Sequence, residues 1–139
     1  YNVRPLELSG AIGIEQVKKL PSLVAERRKN GAHLQEVMES HPDLLIQREM
    51  GRSSWFGFSL VIRPGSKRTR AELQKRLGAA GFECRPILAG NFVKNEVVRY
   101  FDATVHGTLQ NAEHIDGHGL FVGNQHYPIP DAIFALQSI

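Results

Sequence analysis

His114 and His118 stand four residues apart, a spacing that brings two imidazoles onto one face of a helix, with His106 or His126 as a possible third nitrogen for a metal ion. Gly117 and Gly119 weaken a helix there, and neither a cysteine pair nor a carboxylate set completes a zinc shell. The expectation is therefore no metal, and histidines that are hydrogen-bonded or solvated. The single thiol, Cys84, lies near Phe82 in a strand-like stretch, where a small buried side chain is expected and burial makes a thiol inert. No nucleophile elbow, phosphate-cradling loop or dinucleotide turn occurs. Arg63, Lys67, Arg68 and Arg70 surround a turn, which reads first as a solvated helix start and second as a binding surface. Two aromatic stretches, Ser54 to Val61 and Leu120 to Asn124, look like the paired strands of an RNA-binding module in which Phe56, Phe58 and Phe121 would stack on bases. The basic residue and glycine that open such a motif are absent, and the two strands come in reversed order. No nucleic-acid partner is expected.

The opening residues are harder to explain as core. Asn2 and Arg4 precede a helix start, where backbone amides and the helix dipole stabilise an anion, and an amide and a guanidinium there suit a phosphate. An N-cap and a surface arginine are the bland alternative.

These residues must be positioned by a mixed set of elements. Pro5 and Glu7 suit a first helical turn, and Leu8, Ile12, Val17 and Leu20 follow at roughly helical spacing. Gly10 and Gly13 in that run cost about 1 kcal/mol each relative to alanine, so close packing against another element is expected there. Pro21 is read as the start of a second helix, striped by Leu23, Val24, Leu34, Val37 and Met38 and ended by His41-Pro42-Asp43. Leu44 to Arg48 is a short strand. Ser54 to Ile62 alternates, with Phe56, Phe58, Leu60 and Ile62 on one face and Trp55, Gly57, Ser59 and Val61 on the other. Thr69 and Glu72 form a capping box for a helix with Leu73 and Leu77 that closes near Gly81, and Phe82 to Ile87 returns as a strand. Helices near Lys94 to Phe101 and Leu109 to Asp116, a strand at Leu120 to Val122 and a last helix near Asp131 complete an α+β domain, a small antiparallel sheet packed with helices.

The 139 residues fit one domain, and 42% hydrophobic with 22% charged residues is ordinary for a globular chain. A net charge of +3 would help to attract a phosphorylated ligand without singling out nucleic acid. A lone cysteine, no signal pattern and no apolar run of roughly 20 residues together suggest a cytoplasmic protein with no membrane partner. Tyr1 leading straight into a helix reads as the start of an excised piece.

Four blocks carry a resemblance. They are Tyr1 to Pro21, Ser53 to Phe58, Glu83-Cys84-Arg85-Pro86-Ile87 with Gly90-Asn91-Phe92, and Gly119 to Asn124. In order and wording they resemble the C-terminal small domain of the DegT-type sugar aminotransferases and dehydratases, on the aspartate-aminotransferase fold, and in particular the nucleotide-sugar 3-dehydratase branch. The resemblance implies that the large cofactor-binding domain lies outside residues 1–139, and that the whole enzyme is a homodimer using pyridoxal or pyridoxamine 5'-phosphate. It implies loss of the C3 hydroxyl from a nucleotide-linked 4-keto sugar, with glutamate as amino donor. The wording Arg4-Pro5-Leu6-Glu7 is similar to enzymes acting on GDP-4-keto-6-deoxymannose in colitose and O-antigen synthesis. CDP-sugar dehydratases and nucleotide-sugar aminotransferases of the same family are the alternatives. By the same resemblance Asn2 and Arg4 would meet the cofactor or substrate of a partner subunit. Glu83 and Arg85 would meet the sugar or its diphosphate, with Asn91 and Trp55 in supporting places. No catalytic residue is expected within residues 1–139, so the isolated chain is expected to be inactive.

Overall fold

The structure, a computed structural model, describes residues 4–139. Asn2 therefore lies outside the described residues. The chain opens with α1, Glu7–Met38, a single helix of 32 residues that runs through Pro21. This corrects the expected break. Proline removes one helical hydrogen bond and crowds the preceding turn, at a cost of about 3 kcal/mol, but helix-forming residues flank Pro21 on both sides. The Ser22 hydroxyl donates to the Lys19 carbonyl at 2.8 Å within the same turn. The second half is anchored in the core through Leu34 and Met38. The first half is not: Leu8, Ile12, Ile14, Val17 and Leu20 are all more than half exposed. The close packing expected at Gly10 and Gly13 is not seen either, since a Cβ at either position would meet nothing within 4 Å.

β1 (Leu44–Ile46), β2 (Gly57–Ile62), β3 (Cys84–Pro86) and β4 (Gly119–Gly123) form one antiparallel sheet in the order β1-β2-β4-β3. One face of the sheet, carrying Leu44, Phe58, Leu60, Ile62, Leu120 and Val122, packs against helices. Those helices are α1, α2 (Arg70–Ala79, through Leu73 and Leu77) and α4 (Pro130–Gln137, through Ile133 and Leu136). β1 ends early, and the Gln47 side chain takes over its pairing. The Gln47 amide donates to the Gly57 carbonyl at 2.9 Å, and its oxygen accepts from the Ser59 N–H at 2.7 Å.

The capping box is present as the sequence predicts: the Thr69 hydroxyl accepts from the Glu72 N–H at 3.2 Å while the Glu72 carboxylate accepts from the Thr69 N–H at 2.8 Å. The Thr69 N–H first, and then the Thr69 hydroxyl, which also donates to the carboxylate at 2.9 Å, hold the Glu72 carboxyl below its ordinary range. At the other end Gly81 takes φ of 83°, and Phe82 N–H donates to Leu77 and Gly81 N–H to Gly78, closing the helix. The segment expected as a helix from Lys94 to Phe101 is instead two 3₁₀ turns, Phe92–Lys94 and Glu96–Tyr100. α3 runs Gln110–His118.

The predicted alternation holds at Phe58, Leu60 and Ile62 and fails upstream. Trp55 is buried and Phe56 is 71% exposed, the reverse of what a continued strand requires. The cause is a left-handed backbone at Trp55, φ of 50°, which turns its ring inward onto Gly31 of α1. Trp55 is core, edge-on to Phe58 at 6.2 Å. Phe58 is buried, so Phe56, Phe58 and Phe121 cannot present three rings on one RNA-binding face.

The basic stretch is structural at three of its four positions. Arg63 donates to the His41 carbonyl and Arg70 to the Asp116 carbonyl, while Arg68 pairs with Asp43 at 2.7 Å and donates to the Ile139 carbonyl.

Candidate functional site

A groove of about 620 Å³ opens where the ends of β4 and β2 meet the turn before β3, α4 and the middle of α1. Glu83 and Arg85 stand on its rim from the β3 segment, since alternate residues of a strand share a face. They pair with each other, Arg85 donating to Glu83 at 2.8 Å, with both side chains exposed. That bond, and then the Glu83 charge, push the Arg85 guanidinium above its ordinary value. Phe121 on β4 faces Arg85 and Ser59 in the sheet register and stacks on Phe56 at 5.9 Å and 23°. Arg27, from α1, lays its guanidinium over Phe56 at 5.6 Å from the ring centre. Two guanidiniums, one carboxylate and a pair of stacked phenyl rings thus share one open groove. Guanidiniums suit phosphate oxygens, a carboxylate accepts from hydroxyls, and aromatic faces take sugar or base rings.

A buried amide network fixes this corner. Asn124 Nδ2 donates to the Trp55 carbonyl at 2.8 Å and to the Arg27 carbonyl at 3.0 Å. Asn30 Nδ2 donates to Asn124 Oδ1 at 3.1 Å and to the carbonyls of Gln125 and Tyr127. Arg28 donates to the carbonyls of Ser53 and Arg52, clamping the loop that leads into Trp55.

The other predicted positions fall elsewhere. Asn91 is buried with its amide donating to Glu113 at 3.0 Å. It belongs to a cluster in which Lys94 bonds both Glu113 and Asp116. Lys94 first, then Asn91, holds both carboxyls below their ordinary range, and Glu113 before Asp116 raises the Lys94 ammonium. This cluster ties the first 3₁₀ turn to α3. Trp55 does not line the groove and is buried in the core. Arg4 stands exposed ahead of α1. The N-cap of α1 is Leu6, with no side chain bonding the first-turn amides, so this end of the helix suits an anion supplied from outside the described residues.

Cys84 is half-buried, and burial first, then Glu83, pushes its thiol up. His114 and His118 do share a helix face, with rings stacked at 4.5 Å. His114 Nε2 lies 2.8 Å from the Ile62 carbonyl, and among the described residues no group of three or more metal-type side chains forms. Among those residues no helix is long and apolar enough to cross a membrane.

Sequence reasoning missed Arg27, Asn30 and Asn124. The apolar stripe of the helix marks neither Arg27 nor Asn30, and Asn124 entered only as the last residue of the block Gly119 to Asn124.

The fold is that of the sugar aminotransferases: the Helicobacter pylori aminotransferase PseC superposes with a TM-score of 0.79 at 15% identity, over 99% of this chain and 37% of that one. The chain belongs to the DegT/DnrJ/EryC1/StrS aminotransferase family, whose sequence profile matches residues 1–124. It is 56% identical over 140 aligned residues to GDP-4-keto-6-deoxy-D-mannose 3-dehydratase of Yersinia pseudotuberculosis, covering 100% of this chain and 36% of that protein. The E. coli GDP-4-keto-6-deoxy-D-mannose-3-dehydratase, solved with bound hydrated PLP, superposes with a TM-score of 0.95 at 52% identity, over 99% of this chain and 36% of that one. A dTDP-4-dehydro-2,6-dideoxy-D-glucose 3-dehydratase of Saccharopolyspora spinosa is 26% identical over 88% of this chain and 27% of its own length. The chain therefore spans about a third of the length of the relatives it matches.

Proposed function

We propose that this chain is the C-terminal small domain of a nucleotide-sugar 3-dehydratase that removes the C3 hydroxyl of GDP-4-keto-6-deoxymannose. The observation that carries the reading is the gap in identity: 56% and 52% to dehydratases of that GDP sugar across the chain, against 26% to a dehydratase of a dTDP sugar. The groove supports it with chemistry suited to a nucleoside diphosphate sugar. In this reading the exposed apolar half of α1 is covered by the larger cofactor domain, and the working enzyme is a cytoplasmic homodimer in colitose and O-antigen synthesis with glutamate as amino donor.

Pyridoxal or pyridoxamine phosphate, when bound, supplies the electron sink that lets a hydroxyl beside a ketone leave. The fit of this chain to that group is confined to the start of α1, whose N-cap, Leu6, makes no side-chain cap bond; in this reading Asn2 and Arg4 would hold the phosphate of the neighbouring subunit's cofactor. Glu83 accepts from a hydroxyl of the sugar and Arg85 steadies the sugar or its diphosphate. Trp55 and Asn91 act only by holding the scaffold, as their burial suggests. With no proton-transfer group assigned in it, the isolated chain is expected to turn nothing over.

The full-length protein, given cofactor and glutamate, should consume GDP-4-keto-6-deoxymannose and release the 3-deoxy sugar, measured by mass spectrometry. Consumption of a CDP or dTDP sugar with the GDP sugar untouched would overturn the substrate assignment. Asn2→Ala should weaken cofactor retention on the order of 1.5–3 kcal/mol, the usual loss for a hydrogen bond to a charged group. Unchanged cofactor affinity would remove Asn2 from the site.

A further inference from the structure

Arginines in this molecule are mostly tied to acceptors. Arg28, Arg63, Arg68, Arg70 and Arg76 each donate to backbone carbonyls, and Arg85 to a carboxylate. Arg27 differs. Its Nε is buried with no hydrogen-bond partner among the described residues, while the guanidinium plane rests on Phe56 and lines the groove that Glu83 and Arg85 rim. A buried charged donor without an acceptor is rare in a folded protein; here it leaves the guanidinium tied to no acceptor on its Nε side, while the residue itself lines the groove. The position is also pre-organised. Asn124 grips the Arg27 carbonyl through its side chain, and its own N–H donates to the Phe56 carbonyl at 3.3 Å, so cation and ring are held by one residue. Stacking leaves the edge of a guanidinium free, and that edge presents paired N–H groups matched to two phosphate oxygens.

The geometry points to Arg27 as a diphosphate-binding residue of this groove, one that sequence motifs do not mark and that acts with Arg85. The inference rests on the nucleotide-sugar reading above and adds to it the part of the substrate that the middle of α1 holds. Phe56 is then a support for the guanidinium rather than a base-stacking ring. Asn124 is a positioning residue that acts through Arg27.

The test uses the full-length enzyme with Arg27→Met, which keeps the stem over Phe56, and Arg27→Lys, which keeps the charge and loses the fork. Binding of GDP and of guanosine is read by calorimetry, turnover by steady-state kinetics, and folding by the melting temperature. Arg27→Met should raise KM for the GDP sugar and Kd for GDP by tenfold or more, change kcat by less than threefold, and leave guanosine binding and the melting temperature unchanged. Arg27→Lys should recover only part of the loss. Two results would overturn the assignment: GDP affinity within twofold of wild type, or an equal loss of GDP and guanosine, which would place Arg27 beneath the base or in the scaffold. If the wild-type enzyme prefers another nucleotide sugar, the substrate proposal fails by itself, and the same comparison of diphosphate with nucleoside, made with that base, still decides the role of Arg27.

Discussion

Between Glu7 and Leu20, α1 carries Leu8, Ile12, Ile14 and Val17 more than half exposed, whereas between Leu23 and Met38 the same helix seats Leu34 and Met38 in the core and presses Gly31 against Trp55. The two halves have similar apolar content and the same backbone geometry. What separates them is burial: the second half seats Leu34 and Met38 in the core, while the apolar side chains of the first stay exposed. Periodicity therefore reports that a helix has an apolar face, not that this chain covers it. On the reading proposed above, the uncovered face is where the larger domain would pack.

The comparison can be broken at several points in the 139-residue chain. Leu34→Ala should cost about 2–5 kcal/mol as a cavity in a packed core, read as a shift in the urea midpoint. Leu8→Ala should stay within about 0.5 kcal/mol, as for surface sites. Equal effects would mean that the first half is covered after all. Gly31→Ala should cost about 1–3 kcal/mol by overpacking, because the new Cβ would stand 2.6 Å from the Trp55 ring. A neutral result there would show that Trp55 can back away.

His41, just past the packed end of α1, gives a subtler test. Its Nδ1 accepts from the N–H groups of Asp43 and Leu44, which only the unprotonated ring can do. Burial first, then the Arg68 charge, lowers its pKa below the ordinary 6.5. The unfolded chain then takes up a proton before the folded one, so the stabilisation is present above about pH 6.5 and is lost as pH falls below it. His41→Ala should flatten the fall in melting temperature between pH 7 and pH 5, and an unchanged slope would assign it to other groups. The smallest effect is expected at Pro21→Ala. Removing a helix-interior proline should raise the circular-dichroism signal at 222 nm while moving the urea midpoint little, since the turns it joins on the exposed side add little to global stability. A large midpoint shift would show that the two halves unfold together.

Local chemistry was the legible part of the sequence. The capping box at Thr69 and Glu72, the αL glycine at Gly81 and the Phe58-Leu60-Ile62 alternation are rules about neighbours in the chain, and the structure follows them. Pro21 was misread because a proline penalty is real but finite, and a long helix with one anchored half can absorb it. Trp55 and Phe56 were exchanged because a single left-handed residue inverts a strand pattern, and nothing in an alternating stretch announces that residue. Glu83 and Arg85 were found through family wording, and their place on the groove rim was not readable from spacing. The Asn30–Asn124 bond joins residues 94 apart in the chain, and two scattered asparagines carry no local signal that they will meet in the interior.

The inverted turn at Trp55 has a consequence for how damage to this molecule would be traced. Because the inward tryptophan and the outward phenylalanine are consecutive, bulk added beneath the indole that shifts its backbone would carry the surface ring, and the cation resting on it, along. A scan of variants scored only on catalysis would then flag Gly31, buried within a helix and absent from the groove lining, as though it belonged to the binding pocket. Pairing that scan with a thermal readout would unmask it as a foundation stone.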